Sequence, residues 1–400
     1  MLTRQDLIDA RQRIASLARV TPLLPIGERI AGDTQVLLKL ESLQYTGAFK
    51  IRGATNALAQ LSDDERRRGV MAASAGNHAQ GVAAAAGAMG IEATIVMPET
   101  TPLVKVERTR RYGASVVLYG QDFETAYSHA MDLCQQQGCT FIHPFADERI
   151  IAGQATIGLE LLEQAPALDS VIVPVGGGGL ISGVAMAIKQ QRPEVRVIGV
   201  QTEAVPAMAT SFRRKQLVAV DAQPTIAEGI AVGRPSELTY DLVRQYVDDI
   251  VTVSEGQIAA AMLDLLEDFK LVVEGAGAAP LAALGQLQGQ LGKQTVLVLS
   301  GGNVDVTTLG ALIDRGLAQA GRAVRLRVDL RDHPGALAKL AQVIGEAGAN
   351  IVEIFHNRTT GNIEIGRAEV ELVLTTRGFD HVEEILRLLR DRGYEARRHD

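Results

Sequence analysis

Three apolar runs in this chain end in glycine-rich turns, and that pattern restricts the possible folds more than any other feature. SVIVPV (170–175) runs into GGGGLISG, VMAAS (70–74) into AGNHAQG, and TVLVLS (295–300) into GGN. An unbroken apolar run rich in β-branched residues is a strand covered on both faces, and such strands alternate with helices in parallel sheets. QVLLKL, ATIVMP, SVVLY, CTFIHP and VRVIGV are further runs of this kind. Stretches with helical periodicity, such as PLVKVERTRRYG and IIAGQATIGLELLEQ, lie between them. The expected class is α/β with parallel-rich sheets. Ligands of such sheets bind beyond the carboxyl ends of the strands, where these glycine turns lie.

The pattern changes near residue 321. VRLRVDL alternates, RDHPG leads into the helical ALAKLAQVIGEAG, and ANIVEIFHNR and IEIGRAEVELVL follow, joined by TTGN. The helical HVEEILRLLRDRG and a last strand, YEARR, complete a βαββαβ order, that of a ferredoxin-like unit. The expected domains are 1–321, with a smaller subdomain at roughly 45–150, and 322–400. A net charge of −7 argues against nucleic acid and anionic membranes as partners. No apolar run is long enough to span a bilayer, and the N-terminal MLTRQDLIDARQRIASLA is charged and amphipathic, unlike a signal peptide. Cys134 and Cys139 lack further ligands at zinc spacing, so reduced thiols in the cytoplasm are expected.

The strand ends carry the chemistry. Gly176–Gly179 and Leu180 open a helix, where bare backbone N–H groups form an anion site sized for one phosphate; the alternative is a tight turn with close helix–sheet packing. In SAGNHAQG, Asn77 can donate to a phenolate oxygen and the free N–H groups can hold a carboxylate, or Asn77 can cap a helix. Ser300 places a hydroxyl at a third strand end. Lys50, in YTGAFKIRGA, sits among small and apolar residues, and desolvation lowers a lysine's pKa toward a nucleophilic amine. A phosphate cup, a phenolate donor, a hydroxyl for a ring nitrogen and an amine for an aldehyde together describe pyridoxal 5′-phosphate.

With TGAFKIRGA, SAGNHAQG, PVGGGGL and LSGGN in this order, and with PFADERIIAGQATIGLE and IAEGIAVG, the chain resembles the threonine dehydratases (threonine ammonia-lyases) of the tryptophan-synthase-β-like fold. The resemblance implies a two-subdomain catalytic part. It implies that Lys50 holds the cofactor covalently, Asn77 faces the ring hydroxyl, and Gly176, Gly177, Gly178, Gly179 and Leu180 hold the phosphate. Ser300 bonds the pyridine nitrogen and Gly229 lies against the cofactor. Ser74, Ala75 and Asn77 receive the substrate carboxylate. A hydroxyl such as Ser300 cannot keep the pyridine nitrogen protonated as a carboxylate does, which favours prompt β-elimination over transamination, with Lys50 as base. Threonine then yields 2-oxobutyrate and ammonia, and serine is a second substrate. The similar serine racemases carry a serine where Ala75 stands, and a methyl group cannot exchange protons. Relatives that need a divalent metal have carboxylates where this chain has Gln201 and Ala207, so no divalent site is expected; a monovalent cation held by carbonyls stays open. The C-terminal unit resembles ACT domains through RDHPGALAKL. That implies an effector site at Asp332, Pro334 and Gly335 with Asn350 and Ile351, for isoleucine or valine, in a homodimer or tetramer; a purely structural role is the alternative. Rival readings are a dehydratase preferring serine or 3-hydroxyaspartate, with Phe145 as one pocket wall, and a non-catalytic amino-acid sensor.

Overall fold

The computed structural model describes residues 2–27, 34–358 and 363–399. The chain divides into two compact units, Met1–Val304 and Asp305–Asp400. The helix Val306–Gln319, placed by the sequence before the domain boundary, is grouped with the second unit.

The strands of the first unit are β1 (Leu23–Pro25), β2 (Gln35–Leu40), β3 (Val70–Ala73), β4 (Ala93–Met97), β5 (Ser115–Leu118), β6 (Thr140–Phe141), β7 (Ser170–Pro174), β8 (Arg196–Thr202), β9 (Asp249–Val253) and β10 (Gln294–Leu299). They form a six-stranded sheet in the order β1-β2-β10-β7-β8-β9 and a four-stranded sheet in the order β5-β4-β3-β6. Every pairing is parallel except β1 with β2. All five residues of β7 are buried, as a strand covered on both faces requires. The small sheet draws on residues 70–141, inside the segment expected for the smaller subdomain. β1 and β9 have no counterpart among the apolar runs read from the sequence. Both are partly exposed edge strands, and β1 has three residues.

The helix Lys50–Ala59 is held by two devices. Gly53 crosses Gly153 of the helix Glu148–Gln164 so closely that a methyl group on Gly153 would lie 2.6 Å from the Arg52 carbonyl oxygen. Beneath that crossing is a buried ion network. Arg52 Nε donates to Glu41 at 2.8 Å and Arg52 Nη1 to Glu160 at 2.6 Å, while Lys39 Nζ reaches Glu160 at 2.5 Å. These four side chains are at most 3% exposed.

In the second unit β11 (Ala323–Arg331), β12 (Asn350–Asn357), β13 (Arg367–Thr375) and β14 (Glu395–Arg398) form an antiparallel sheet in the order β12-β13-β11-β14. The helices Ala336–Glu346 and Phe379–Asp391 supply Leu340, Ile344 and Ile385 to a core with Leu326, Val328 and Leu372. The turn expected at TTGN (359–362) lies outside the described residues. The strand expected from Ile363 begins only at Arg367, and Ile365 is fully exposed. No helix among the described residues is long and apolar enough to cross a membrane.

Candidate active site

Lys50 opens the helix Lys50–Ala59, so its side chain leaves the helix mouth rather than a packed turn. Its Nζ donates to the Pro144 carbonyl oxygen at 2.8 Å. Protein atoms surround the amine while part of the residue stays open to solvent. That desolvation lowers its pKa from 10.5 to about 8, and a nearby carboxylate, Glu274, partly opposes the shift.

Pro144 also ties Lys50 to the glycine run. The next residue, Phe145, packs on the tetraglycine: a methyl group on Gly177 would meet the Phe145 ring at 2.4 Å, and one on Gly179 would meet Phe145 Cα at 3.0 Å. Gly176 lies against Gly229, whose carbonyl oxygen is 3.2 Å from the Cβ position of Gly176. Gly178, at φ +90°, takes the left-handed turn that starts the helix Gly179–Lys189. The backbone N–H groups from Gly176 to Leu180 donate to no group among the described residues. Five consecutive free donors at a helix N-terminus, with no side chain able to cover four of them, fit a phosphate.

Asn77 opens the helix Asn77–Met89 behind Gly76 and does not cap it. Its amide instead joins a network: Nδ2 donates to Glu274 Oε1 at 2.7 Å, and Oδ1 accepts from Asn303 Nδ2 at 2.7 Å. One hydrogen of Asn77 Nδ2 stays free for a ligand oxygen. Ser74 Oγ accepts from the Gly76 N–H at 3.2 Å, while the N–H groups of Ala75 and Asn77 have no partner among the described residues. Ser300 is 3% exposed, its hydroxyl makes no hydrogen bond among those residues, and its carbonyl oxygen accepts from the N–H of Phe49, beside Lys50. The structure therefore brings Lys50, Ser74–Asn77, Gly176–Leu180, Gly229 and Ser300 around one space. Anion donors, a free amide hydrogen, a free hydroxyl and an amine with a lowered pKa there fit pyridoxal phosphate.

The sequence reading missed three participants. Glu274 starts the helix Gly275–Ala282, and burial pushes its carboxyl up to about 7 against the lowering effect of Asn77. It lies 197 residues from Asn77, and its only local signal is an acid in front of GAGAA. His143 accepts the N–H groups of Phe145 and Ala146 at Nδ1 (3.2 and 2.8 Å), which folds the Pro144–Phe145 corner; burial and Lys50 hold its pKa down to about 4, so it is neutral. Asn303 fixes the amide of Asn77 and donates to the Thr46 carbonyl oxygen. Replacing Glu274 by glutamine removes the charge that supports the Lys50 ammonium, so the Lys50 pKa falls further below 10.5. The rate at which cofactor-free enzyme captures pyridoxal phosphate, which needs the neutral amine, rises with pH through about 8 in the wild type. In Glu274→Gln that rise moves to lower pH. An unchanged midpoint contradicts the coupling.

Gln201 is buried. Its Oε1 accepts the Ala209 N–H at 2.9 Å and its Nε2 has no partner, so an amide occupies the place of the expected relatives' carboxylate. In the second unit Asp332 accepts from Arg358 Nε at 3.1 Å, and Pro334 and Gly335 are exposed. Asn350 and Ile351 do not join them. Asn350 is opposite Thr375, which pairs with Ala323 at one end of β11, whereas Asp332 follows Arg331 at the other end. At the rise of an antiparallel strand the two groups are about 25–30 Å apart within one chain.

Residues 14–302 match the model of the family described as pyridoxal-phosphate dependent enzyme, and residues 324–393 match that of the ACT domain. An L-threonine ammonia-lyase of Thermotoga maritima is 49% identical over 399 residues, 99% of each chain. Among solved structures, the processed form of threonine deaminase isoform 2 from Solanum lycopersicum aligns with a TM-score of 0.74 at 36% identity, covering 78% of this chain and 87% of that one. Maize serine racemase aligns with a TM-score of 0.74 at 35% identity, covering 79% and 98%.

Proposed function

We propose a reaction for this chain from one premise: it belongs to the family of pyridoxal-phosphate dependent enzymes. It is a threonine ammonia-lyase that converts L-threonine to 2-oxobutyrate and ammonia by α,β-elimination, and it also accepts L-serine. When bound, pyridoxal phosphate supplies the electron sink for the charge left at Cα. Lys50 would hold the cofactor, Gly176–Leu180 would take the phosphate, Asn77 the ring hydroxyl and Ser300 the ring nitrogen, with Gly229 alongside. Lys50 takes the Cα proton; a pKa of about 8 leaves a useful neutral fraction near neutral pH. The free N–H groups of Ala75 and Asn77, with Ser74, orient the substrate carboxylate. Phe145 closes the space between Lys50 and the glycines.

The observation that carries this reading is the Pro144–Phe145 corner, with one residue on the amine and the next on the anion cradle. Steady-state assays with L-threonine, L-serine and 3-hydroxyaspartate test it. Threonine has the highest kcat/KM, roughly tenfold or more above serine, the worth of one methyl group in a fitted pocket. A preference for either other substrate overturns the assignment. With L-serine, chiral chromatography finds pyruvate and no accumulating D-serine, because Ala75 has no proton to give; abundant D-serine contradicts this.

The ACT unit binds an amino-acid effector in this reading, isoleucine or valine, and the enzyme is a cytoplasmic homo-oligomer. A site using both Asp332–Gly335 and Asn350–Ile351 needs two copies of the unit, because within one chain they lie at opposite ends of the sheet. Activity therefore responds to isoleucine or valine, and Asp332→Ala or Asn350→Ala each abolishes the response. No response to either amino acid leaves the unit a structural role only.

A further inference from the structure

We propose that Cys134 and Cys139 are a redox-active pair that closes to a reversible disulfide within the chain. Both are free thiols. The helix Phe123–Gln137 ends at Gly138, which takes the left-handed conformation at φ +66°. The Cys139 N–H then turns back to the Cys134 carbonyl oxygen at 3.2 Å, the reversal of a Schellman turn. This lays Cys139 over the last helical turn, with its Sγ 2.8 Å from Cys134 Sγ. A movement of under about 1 Å brings the two sulfurs to the ~2.0 Å of a disulfide.

Two apolar side chains commonly meet across such a turn, and Cys134 packs in a small cluster with Met71, Ala73 and Ala130. Any apolar pair serves that packing. Two thiols add a reaction, and their surroundings divide the roles. Cys134 is 5% exposed, and burial next to a second sulfur holds its thiol pKa above the ordinary cysteine value. It stays protonated and out of reach of solvent. Cys139 is only half-buried and is the sulfur that a dissolved oxidant meets first.

With hydrogen peroxide the Cys139 sulfur attacks one oxygen, the O–O bond breaks, and a sulfenic acid and one water form. The Cys134 sulfur then attacks the Cys139 sulfur, the S–O bond breaks, and the Cys134 proton leaves with the hydroxide as a second water. The two thiols lose two electrons and two protons, and the peroxide is reduced to two waters. The bridge closes at the joint between the helix and β6. Beyond that strand the chain runs through Ile142 and His143 to Pro144, whose carbonyl oxygen accepts from the Lys50 amine.

One tryptic peptide, Tyr112 to Arg149, contains both cysteines, so mass spectrometry reads the bond directly. The full-length holoenzyme is treated with hydrogen peroxide, alkylated and digested. The expected peptide is unalkylated and lighter than the dithiol peptide by two hydrogen atoms, and dithiothreitol restores two alkylatable thiols. In Cys134→Ser the peptide instead gains oxygen at Cys139; in Cys139→Ser, Cys134 stays alkylatable. Three results overturn the proposal: both thiols alkylatable after peroxide, oxygen added at Cys139 of the wild type without loss of the Cys134 thiol, or disulfide-linked chains on a non-reducing gel.

Discussion

Replacing Lys50 by alanine lowers turnover of L-threonine by about 1,000-fold or more and leaves the fold in place. The size follows from the two tasks that meet on this amine. Its Nζ bonds the Pro144 carbonyl oxygen, at the corner that packs on the anion cradle, and in the proposed reaction it also takes the Cα proton, a service worth about 10²–10⁴-fold alone. Nothing else described in the site can replace it. His78 and His143, the nearest candidate bases, have pKa values pushed down to about 3 and about 4, chiefly by burial, and their Nε2 and Nδ1 atoms already serve as partners of backbone groups. The fold survives because Lys50 at the helix mouth packs into no core; its one hydrogen bond is to Pro144. The folded-state pKa is lowered, from 10.5 to about 8, so below pH 8 the ammonium opposes folding, and that opposition fades between pH 8 and 10.5. Circular dichroism of Lys50→Ala near pH 7 therefore matches the wild type, while its visible cofactor absorbance is lost. Residual turnover within tenfold of the wild type contradicts this assignment.

Arg52→Met, two residues further on, has the opposite signature. It leaves Glu41 and Glu160 buried, with Lys39 as the one cation still ion-paired to either among the described residues. Removing one partner of a buried pair costs about 3–5 kcal/mol, because the stranded charges keep their desolvation penalty. In a unit of this size that lowers the thermal midpoint by roughly 10 °C. Adding Glu41→Gln to Arg52→Met recovers much of the loss, since it removes the charge that Arg52 faced. Turnover of the material that stays folded falls less than in Lys50→Ala, because the Arg52 guanidinium is engaged by Glu41, Glu160 and Thr156 within the protein. Differential scanning calorimetry of the single and double variants measures this. A shift of under about 2 °C in Arg52→Met means the network is better solvated than its burial indicates.

The two variants separate what was legible in the sequence from what was not. Parallel strands ending in glycine turns were readable because an apolar β-branched run and a glycine at its end are local signals, and β3, β7 and β10 carry them. The desolvation of the Lys50 amine at a helix start was readable from its small and apolar neighbours. Glu274, Asn303 and the ion network were not, because each acts on a residue more than a hundred positions away: Glu274 and Asn303 on Asn77, and Glu160 on Arg52. A lone acid before GAGAA, or an arginine in a helix that also carries Lys50, Thr55 and Asn56, has no periodicity that marks it as buried. β9 went unread for a related reason. Only two of the five residues of DIVTV are buried, so the run lacks the unbroken apolar character of the central strands. The separation of Asp332 from Asn350 depends on sheet register, which the antiparallel pairing of β11 and β12 with β13 determines and the order of elements alone does not.

The central claim is that the amine beside the Pro144–Phe145 corner is the one joined to the cofactor. Reduction of the holoenzyme with borohydride, followed by peptide mapping, tests it most directly. The account predicts a phosphopyridoxyl group on the peptide that contains Lys50 and on no other lysine. A label on a different lysine, or holoenzyme in which Lys50 stays unmodified, contradicts it.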